Sequence, residues 1–230
     1  MRRFAIYFAP PEESPLTQMA AAWLGRDAFP RSAAALVEPP RNGFSREVWR
    51  AATSDPRMYG FHATLKPPFR LAAHARPEEL FDRARAFARS QEKFDAPPLQ
   101  VSSLSSFLAL TLSEPSTRLE ALAEACVREF DAFRALPLDE ELARRRRARL
   151  SPKHLEYLER WGYPYVMDEW RFHMTLTSSL EPPLFDQIGA HLKGLFTPHC
   201  AAPLPVDSIC IFEQPSEGEP FYVAERFPFA

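Results

Sequence analysis

The chain has 230 residues, of which 46% are hydrophobic and 25% charged, and its formal net charge is −2. This composition is typical of a globular protein with a hydrophobic core. The small negative net charge argues against a protein that coats nucleic acid non-specifically. No apolar run is long enough to cross a bilayer, and the N-terminal residues make a poor signal peptide. Three cysteines without a CxxC pair indicate free thiols in a reducing compartment. We therefore expect a cytoplasmic protein with no membrane partner.

Glycine is scarce and proline is plentiful, with 7 and 24 residues respectively. The chain contains neither a Walker A motif nor a GxGxxG motif, both of which need glycine where the backbone approaches a phosphate. Glycine-rich nucleotide-binding loops are therefore absent from this sequence.

The first half of the chain alternates between strands and amphipathic helices. Ser14 and Pro15 are typical of a helix start and Gly25 of a helix end, while prolines interrupt residues 26–58. In chain order, the patterns predict a strand at 4–9, a helix at 15–24, a short helix after Ser45, a strand at about 60–66 closed by Pro67 and Pro68, a helix from Pro77 to about 91, strands at about 99–104 and 106–112, and a helix at about 117–133.

The second half follows a charged segment at 139–149 and repeats part of this order. Its patterns predict a helix from Ser151 and Pro152 to Gly162, a strand at about 170–177, a helix from Pro182 and Pro183 to about 196, and strands at about 204–212 and 220–227. The sequence of strand, double proline, helix, strand and strand thus occurs twice, at about 55–134 and about 165–230. Two copies of this length indicate a duplicated half-domain rather than a solenoid.

These patterns predict an α+β fold with two pseudo-symmetric lobes, each a mainly antiparallel sheet backed by helices, around a central cleft. Neither half is large enough to form a stable domain alone, so we expect a single bilobal domain spanning 1–230. The N-terminal strand and helix at 4–25 join the lobes.

A short histidine motif occurs in both predicted repeats. The first copy reads Phe61-His62-Ala63-Thr64-Leu65 and the second Phe172-His173-Met174-Thr175-Leu176. Alternate side chains of a strand share a face, so each copy carries a histidine beside a threonine on one face and apolar side chains on the other. We expect the two histidine faces to meet in the cleft.

Two facing histidines can divide the work of a general acid and a general base, since an imidazole gives or takes a proton near neutral pH. His62 and His173 are therefore the candidate catalytic residues, and the division suits a phosphodiester, which needs a deprotonated nucleophile and a protonated leaving oxygen. Thr64 and Thr175 supply neutral hydrogen-bond donors to the non-bridging oxygens.

Further candidates follow from the same strand alternation. Lys66 and Thr177 occupy equivalent places after the two threonines and are predicted to bind phosphate. Arg171 precedes His173 on the same face, and Tyr7 reaches the cleft from the N-terminal strand, so both are candidate substrate-binding residues.

A metal site is the weaker alternative, because neither strand carries an Asp or Glu in its core and metal ligand sets usually include a carboxylate, a thiolate or three clustered histidines. The arginine run at 144–149 has helical pair spacing with Glu140 and Glu141. It reads as a solvated helix end, with an anion-binding lid as the alternative.

These residues resemble the two-histidine (2H) phosphoesterase superfamily, whose signature is a pair of His-x-Thr/Ser motifs on two lobes. The strings Tyr59-Gly60-Phe61-His62-Ala63-Thr64-Leu65-Lys66, Arg160-Trp161-Gly162-Tyr163-Pro164-Tyr165 and Ala5-Ile6-Tyr7-Phe8-Ala9-Pro10-Pro11 resemble one branch of it. That branch comprises phosphonate-metabolism proteins described as DUF1045. The superfamily implies metal-independent chemistry at cyclic or linear phosphodiesters without a cofactor, and the branch implies a small phosphorylated sugar or phosphonate.

The leading hypothesis is a hydrolase of the 2H cyclic phosphodiesterase type acting on a small cyclic or phosphoribosyl phosphodiester. One alternative is an enzyme that processes RNA 2′,3′-cyclic phosphate ends, which the arginine run favours and the acidic charge balance disfavours. The other is a non-catalytic module that binds a nucleotide or phosphate ester. The expected partner is a small phosphorylated substrate, and the sequence leaves the oligomeric state open.

Overall fold

A computed structural model describes residues 1–29, 43–138 and 150–230. The charged segment with the arginine run, at 139–149, lies outside the described residues, so the choice between a helix end and an anion-binding lid stays open. No helix in the described ranges is long and apolar enough to cross a membrane.

The described chain forms nine strands and seven α-helices, with single 3₁₀ turns at Asp131–Phe133 and Met167–Glu169. The strands are β1 (Arg3–Phe8), β2 (Ala63–Phe69), β3 (Phe94–Ala96), β4 (Leu99–Leu104), β5 (Phe107–Leu112), β6 (Met174–Thr175), β7 (Leu204–Val206), β8 (Ser208–Gln214) and β9 (Tyr222–Pro228). The helices are α1 (Pro15–Leu24), α2 (Arg46–Ala52), α3 (Ser54–Tyr59), α4 (Pro77–Arg89), α5 (Thr117–Glu129), α6 (Pro152–Trp161) and α7 (Leu184–Cys200).

Seven strands form one antiparallel sheet in the order β4-β5-β6-β2-β1-β8-β9, and β3 pairs with β7 in a small second sheet. The predicted α+β class with mainly antiparallel strands and helices is confirmed. The two sides of the molecule share this one sheet, because the strands that follow the two histidines, β2 and β6, pair directly with each other.

The large sheet has a helix-covered face and a second, smaller apolar face. Residues Phe4, Ile6, Ala63, Leu65 and Met174 point to the first face and belong to the main hydrophobic core. The buried stripes of α4 and α5 pack into the same core at the 3.6-residue period predicted from sequence. The second face carries both histidines and the smaller cluster of Ala5, Tyr7, Ala9, Ala28, Cys210, Phe212, Phe221 and Val223.

Helix boundaries follow the local capping residues. The Ser14 hydroxyl accepts the Thr17 N–H at the start of α1, and Gly25 ends that helix with a φ of 71°. Ser151 caps α6 in the same way and Gly162 ends it with a φ of 73°. A left-handed residue at a helix end is the conformation that glycine adopts most readily, which is why these two ends were predictable from sequence.

The first histidine strand differs from its prediction, because β2 starts at Ala63 and continues through Pro67 and Pro68 to Phe69. The two prolines were expected to close it. A proline lacks the N–H that a strand with neighbours on both sides needs for its ladder of hydrogen bonds. The neighbour of β2 on one side is β6, which is only two residues long. Pro67 and Pro68 therefore extend beyond the end of β6, where one side of β2 has no ladder to complete.

The second histidine strand is also shorter than predicted, since only Met174 and Thr175 of the expected stretch 170–177 are strand residues. The preceding residues follow the 3₁₀ turn at Met167–Glu169. They are held instead by the Trp170 indole N–H, which donates to the Thr64 carbonyl at 2.7 Å. The histidine motif itself is still extended and is paired on both sides, with β2 and with β5.

Candidate active site

The register between β2 and β6 brings the two motifs together. Ala63 lies opposite Met174 in an antiparallel pair, so one step along each strand sets His62 across from Thr175 and Thr64 across from His173. Alternation along the strands points all four side chains to the same face, and all four are half-buried. We call the set of His62, Thr64, His173 and Thr175 the two-histidine site.

The His62 imidazole is held by hydrogen bonds at both nitrogens. Its Nδ1 lies 2.9 Å from the Gly60 carbonyl oxygen and its Nε2 lies 3.2 Å from the Thr64 hydroxyl. A carbonyl oxygen only accepts, so Nδ1 carries the proton. In the neutral ring Nε2 then has a free lone pair, and the Thr64 hydroxyl donates to it.

Gly60 is the residue that aims this carbonyl at His62. Its φ is 77°, and a Cβ at this position would lie 2.5 Å from the Ala28 Cβ and 3.1 Å from the Arg26 guanidinium. Both the left-handed backbone and the close packing require glycine. Arg26 itself is buried and donates to the carbonyls of Arg57 and Phe221.

His62 is enclosed by aromatic rings. Tyr7 stacks on it with centroids 3.7 Å apart and an interplanar angle of 15°, and Phe212 lies at 5.8 Å. Burial lowers the pKa of His62 from 6.5 to about 3, the nearby His173 and Arg26 add to the shift, and the Gly60 hydrogen bond opposes it. The enclosure favours the uncharged imidazole.

His173 repeats the hydrogen bond but not the enclosure. Its Nδ1 lies 2.8 Å from the Arg171 carbonyl oxygen, again the residue two positions earlier, and this bond is solvent-exposed whereas that of His62 is partly buried. The Phe107 ring lies beside it, with centroids 6.1 Å apart. Both Nε2 atoms are therefore available on one face, but in different surroundings.

Tyr7 lies in the site region, where its position in β1 was expected to bring it. It pairs with Thr64 in the sheet and its side chain is fully buried. Burial raises the pKa of its hydroxyl well above the usual value, with smaller effects from Tyr59 and Tyr163 that raise it and from a hydrogen bond with Thr64 that lowers it. The hydroxyl is therefore neutral at any physiological pH.

Lys66 does not share the Thr64 face, so its prediction as a phosphate ligand is wrong. Tyr7 pairs with Thr64 and Ile6 pairs with Lys66, which leaves Leu65 as an extra residue in a β-bulge. The bulge reverses the strand phase and turns Lys66 into the core. Its ammonium group donates there to the Val127 carbonyl and to the Asp131 carboxylate, each at 3.1 Å.

Thr177 is excluded from the site for a parallel reason. The N–H groups of Leu176 and Thr177 both donate to the Leu108 carbonyl, so the regular ladder ends there. Thr177 is buried, and its hydroxyl accepts the Leu108 N–H at 2.9 Å. The prediction that it binds phosphate is therefore wrong as well.

Because Lys66 is buried, removing its carboxylate partner should destabilise the protein more than removing the lysine itself. Burial lowers the pKa of Lys66 from 10.5 to about 8, and Asp131 opposes that shift, so at pH 7 the group is a buried cation that depends on its carboxylate. Asp131→Asn should therefore lower the free energy of unfolding by about 3 kcal/mol. Lys66→Met should cost less, because Asp131 keeps its ion pair with Arg134.

Urea unfolding at pH 7 checks this prediction. Asp168→Asn is the matched control, since it removes one of the two carboxylate partners of an exposed lysine, Lys153, and exposed pairs contribute under about 1 kcal/mol. Equal losses for Lys66→Met and Asp131→Asn would contradict the account of a desolvated cation.

Two indole groups hold the backbone of the histidine strands, and neither was predicted from the sequence as a site residue. Trp170 donates to the Thr64 carbonyl, as described above, and Trp23 of α1 donates to the Leu176 carbonyl at 2.8 Å. The first bond satisfies the carbonyl that precedes the Leu65 bulge, and the second satisfies a carbonyl just beyond the end of β6. Both tryptophans are buried, so these contacts fix the spacing of the two motifs.

The Arg171 side chain is exposed. It lines a cavity of about 410 Å³ together with Trp170, Phe172 and residues of β4, β5 and the start of α5. Neither histidine is among the described lining residues. Arg171 therefore adjoins the two-histidine site through its backbone carbonyl, and its side chain faces a neighbouring hollow.

No cluster of three or more His, Cys, Asp or Glu side chains in the described ranges could hold a metal ion. His154, a histidine outside the two motifs, lies 3.2 Å from Glu169.

Fold and site together define an α+β protein in which two His-x-Thr strands pair directly at the centre of one antiparallel sheet. The chain belongs to the family described as "Protein of unknown function (DUF1045)", whose model matches residues 64–222. The match begins two residues after His62 and includes the whole second motif. The predicted family branch is thereby confirmed.

Two curated relatives carry the name "Ribose 1,5-bisphosphate phosphokinase PhnN". The protein from Janthinobacterium sp. (strain Marseille) is 39% identical over 100% of this chain and 51% of its own length. The protein from Laribacter hongkongensis (strain HLHK9) is 34% identical over 95% of this chain and 50% of its own length. The chain thus spans about half the length of these relatives.

Solved structures with a similar course of the chain include one described as "Crystal structure of phosphoesterase", with a TM-score of 0.45 and 15% identity over 100% of this chain and 99% of that one. Another is E. coli LigT complexed with 3′-AMP, with a TM-score of 0.45 and 14% identity over 100% of this chain and 98% of that one.

Proposed function

We propose that this protein is a phosphodiesterase that opens a small cyclic phosphodiester by acid–base catalysis between His62 and His173. The observation that carries the proposal is the two-histidine site, in which both imidazoles present Nε2 on one face of paired strands and each has a threonine beside or across from it. This arrangement suits in-line displacement at phosphorus, with one imidazole on the attacking oxygen and the other on the leaving oxygen.

In the proposed step, water attacks phosphorus and one ester oxygen of the cyclic phosphate leaves. One Nε2 takes a proton from water while the water oxygen bonds to phosphorus, and the phosphorus–oxygen bond of the ring breaks. The other Nε2 gives its proton to the oxygen that leaves. Thr175 donates to a non-bridging oxygen, where negative charge develops, and the Thr64 hydroxyl does the same once the attacking water has replaced it at Nε2 of His62.

We assign the base to His62 and the acid to His173. The enclosure of His62 by Tyr7 and Phe212 favours a neutral ring with a lone pair on Nε2, which is the form a base needs. His173 lies in more open surroundings, where an imidazolium ion keeps contact with water and carries the proton for the leaving group.

The names of the curated relatives point to the substrate class. They are called kinases of ribose 1,5-bisphosphate, and this chain, which matches half of each, lacks the Walker A loop of P-loop kinases. We propose that the substrate is a ribose 5-phosphate in which a cyclic phosphate bridges the hydroxyl oxygens of two neighbouring ring carbons. Opening that ring yields a ribose bisphosphate.

We place this activity in the cytoplasm, where the three buried free cysteines stay reduced.

The decisive experiment is a substrate panel with a chelator present. It contains a cyclic phosphate of ribose 5-phosphate, a 2′,3′-cyclic mononucleotide and an RNA with a 2′,3′-cyclic end. We expect the fastest turnover on the ribose substrate, with no loss on adding the chelator. Turnover that needs added metal would overturn the mechanism, and preference for the RNA would replace the substrate class.

The lowered pKa of His62 predicts an unusual pH profile. A base must be deprotonated, and the pKa of His62 falls from 6.5 to about 3. The value of kcat/KM should therefore not fall as the pH is lowered from 7 to 5, where a base with an ordinary imidazole pKa would already be protonated. Initial rates across this range check it, with circular dichroism at each pH as the control for unfolding. An acid limb at about pH 6.5 would contradict the assignment of His62 as base.

A further inference from the structure

Tyr59, the last residue of α3, has an open aromatic face beside the two-histidine site. Its side chain is 37% exposed, which makes it one of the few large hydrophobic residues in the described ranges that face solvent. Its ring centroid lies 6.4 Å from that of His62 at an interplanar angle of 40°. A group bound beside His62 therefore lies close to this ring.

The other face of the Tyr59 ring packs against a buried residue whose backbone is fixed by hydrogen bonds. It stacks on Phe221 with centroids 5.3 Å apart and an angle of 17°, and Phe221 is fully buried. The backbone of Phe221 is tied on both sides, because its N–H donates to the Met58 carbonyl at 2.7 Å and its own carbonyl accepts from Arg26. A surface that is already ordered costs little conformational entropy when a ligand packs on it.

We propose that Tyr59 is the specificity-determining residue that holds the sugar ring of the substrate. This inference rests on the proposed function and names the part of the substrate that Tyr59 would contact. The face of an aromatic ring carries partial negative charge, which suits the C–H groups on the apolar side of a pentose. A pentose bonded directly to the phosphate lies within reach of Tyr59, whereas a nucleobase lies one sugar further away.

The test compares two ligands that differ only by the sugar. Isothermal calorimetry measures the dissociation constants of ribose 5-phosphate and of inorganic phosphate for the wild type, Tyr59→Ala and Tyr59→Phe. Tyr59→Ala should weaken ribose 5-phosphate about tenfold and leave phosphate unchanged. Tyr59→Phe, which keeps the ring, should bind both like the wild type.

Tyr165→Ala is the matched control. Tyr165 is also an exposed tyrosine, at 46%, but its ring contacts are with Tyr163 and His154 instead of His62. It should leave both dissociation constants unchanged. In steady-state assays, Tyr59→Ala should raise KM for the cyclic ribose substrate with little change in kcat.

Several results would overturn the inference. They are an equal loss of phosphate and ribose 5-phosphate affinity in Tyr59→Ala, no loss of either, or no binding of ribose 5-phosphate by the wild type. A larger loss for adenosine 5′-monophosphate than for ribose 5-phosphate would assign the ring to a nucleobase instead. Failure of the proposed function looks different, since the wild type would then bind ribose 5-phosphate through Tyr59 but turn over no cyclic substrate.

Discussion

Replacing either histidine with alanine, as His62→Ala or His173→Ala, is expected to lower kcat by about 10²–10⁴-fold, the usual contribution of a general acid or base. The double variant should lose less than the product of the two single losses, because groups that act in one step are not additive. KM should change little, since Thr64, Thr175 and the sugar contacts remain. Stopped assays on the cyclic ribose substrate measure all three variants.

His74→Ala is the control for this series, because His74 is an exposed histidine in the turn before α4. It should keep wild-type turnover. Thermal unfolding of each variant separates loss of catalysis from loss of fold. Wild-type turnover in either single variant would end the shared-step mechanism, whatever the double variant does.

The two-histidine site was predictable because its information is local. The alternation of polar and apolar residues over five positions sets which face each side chain takes, and the same five-residue pattern occurs twice. Nothing beyond the strand period is needed to put His62 beside Thr64 and His173 beside Thr175. Only their direct pairing across β2 and β6 had to come from the structure.

Lys66 and Thr177 show where this local logic ends. Each lies two residues beyond its threonine, and an uninterrupted strand would keep it on the same face. The bulge at Leu65 exists because of how β2 pairs with β1, and the break after Thr175 because of how that stretch meets Leu108 of β5. Partners so distant along the chain leave no trace in a five-residue pattern, so the change of phase is not readable from the sequence.

Tyr59 and Arg26 were missed for a related reason. Tyr59 is adjacent to the first motif in sequence, but its significance depends on Phe221, a residue from the far end of the chain. Arg26 lies in a stretch that prolines interrupt, and only its bonds to the carbonyls of Arg57 and Phe221 bring it behind Gly60. The one local signal was Gly60 itself, since a glycine just before a strand often marks a backbone that other residues cannot adopt.

A substrate with a better leaving group should distinguish the general acid from the general base. A general acid matters only when the leaving oxygen needs a proton, so a leaving group that is stable as an anion makes the acid dispensable. His173→Ala should therefore recover most of its lost activity on a p-nitrophenyl phosphodiester of ribose 5-phosphate. His62→Ala should stay impaired by about 10²-fold or more, because the attacking water still needs its base.

The ratio of kcat/KM on the activated substrate to that on the cyclic substrate is the quantity to measure for wild type, His62→Ala and His173→Ala. The ratio should rise steeply for His173→Ala and stay near the wild-type value for His62→Ala. The opposite pattern would exchange the two roles, and it would mean that the enclosure of His62 by Tyr7 and Phe212 stabilises some other state of the ring. Equal ratios in both variants would show that neither imidazole protonates the leaving oxygen, and the division of roles between the two strands would have to be abandoned.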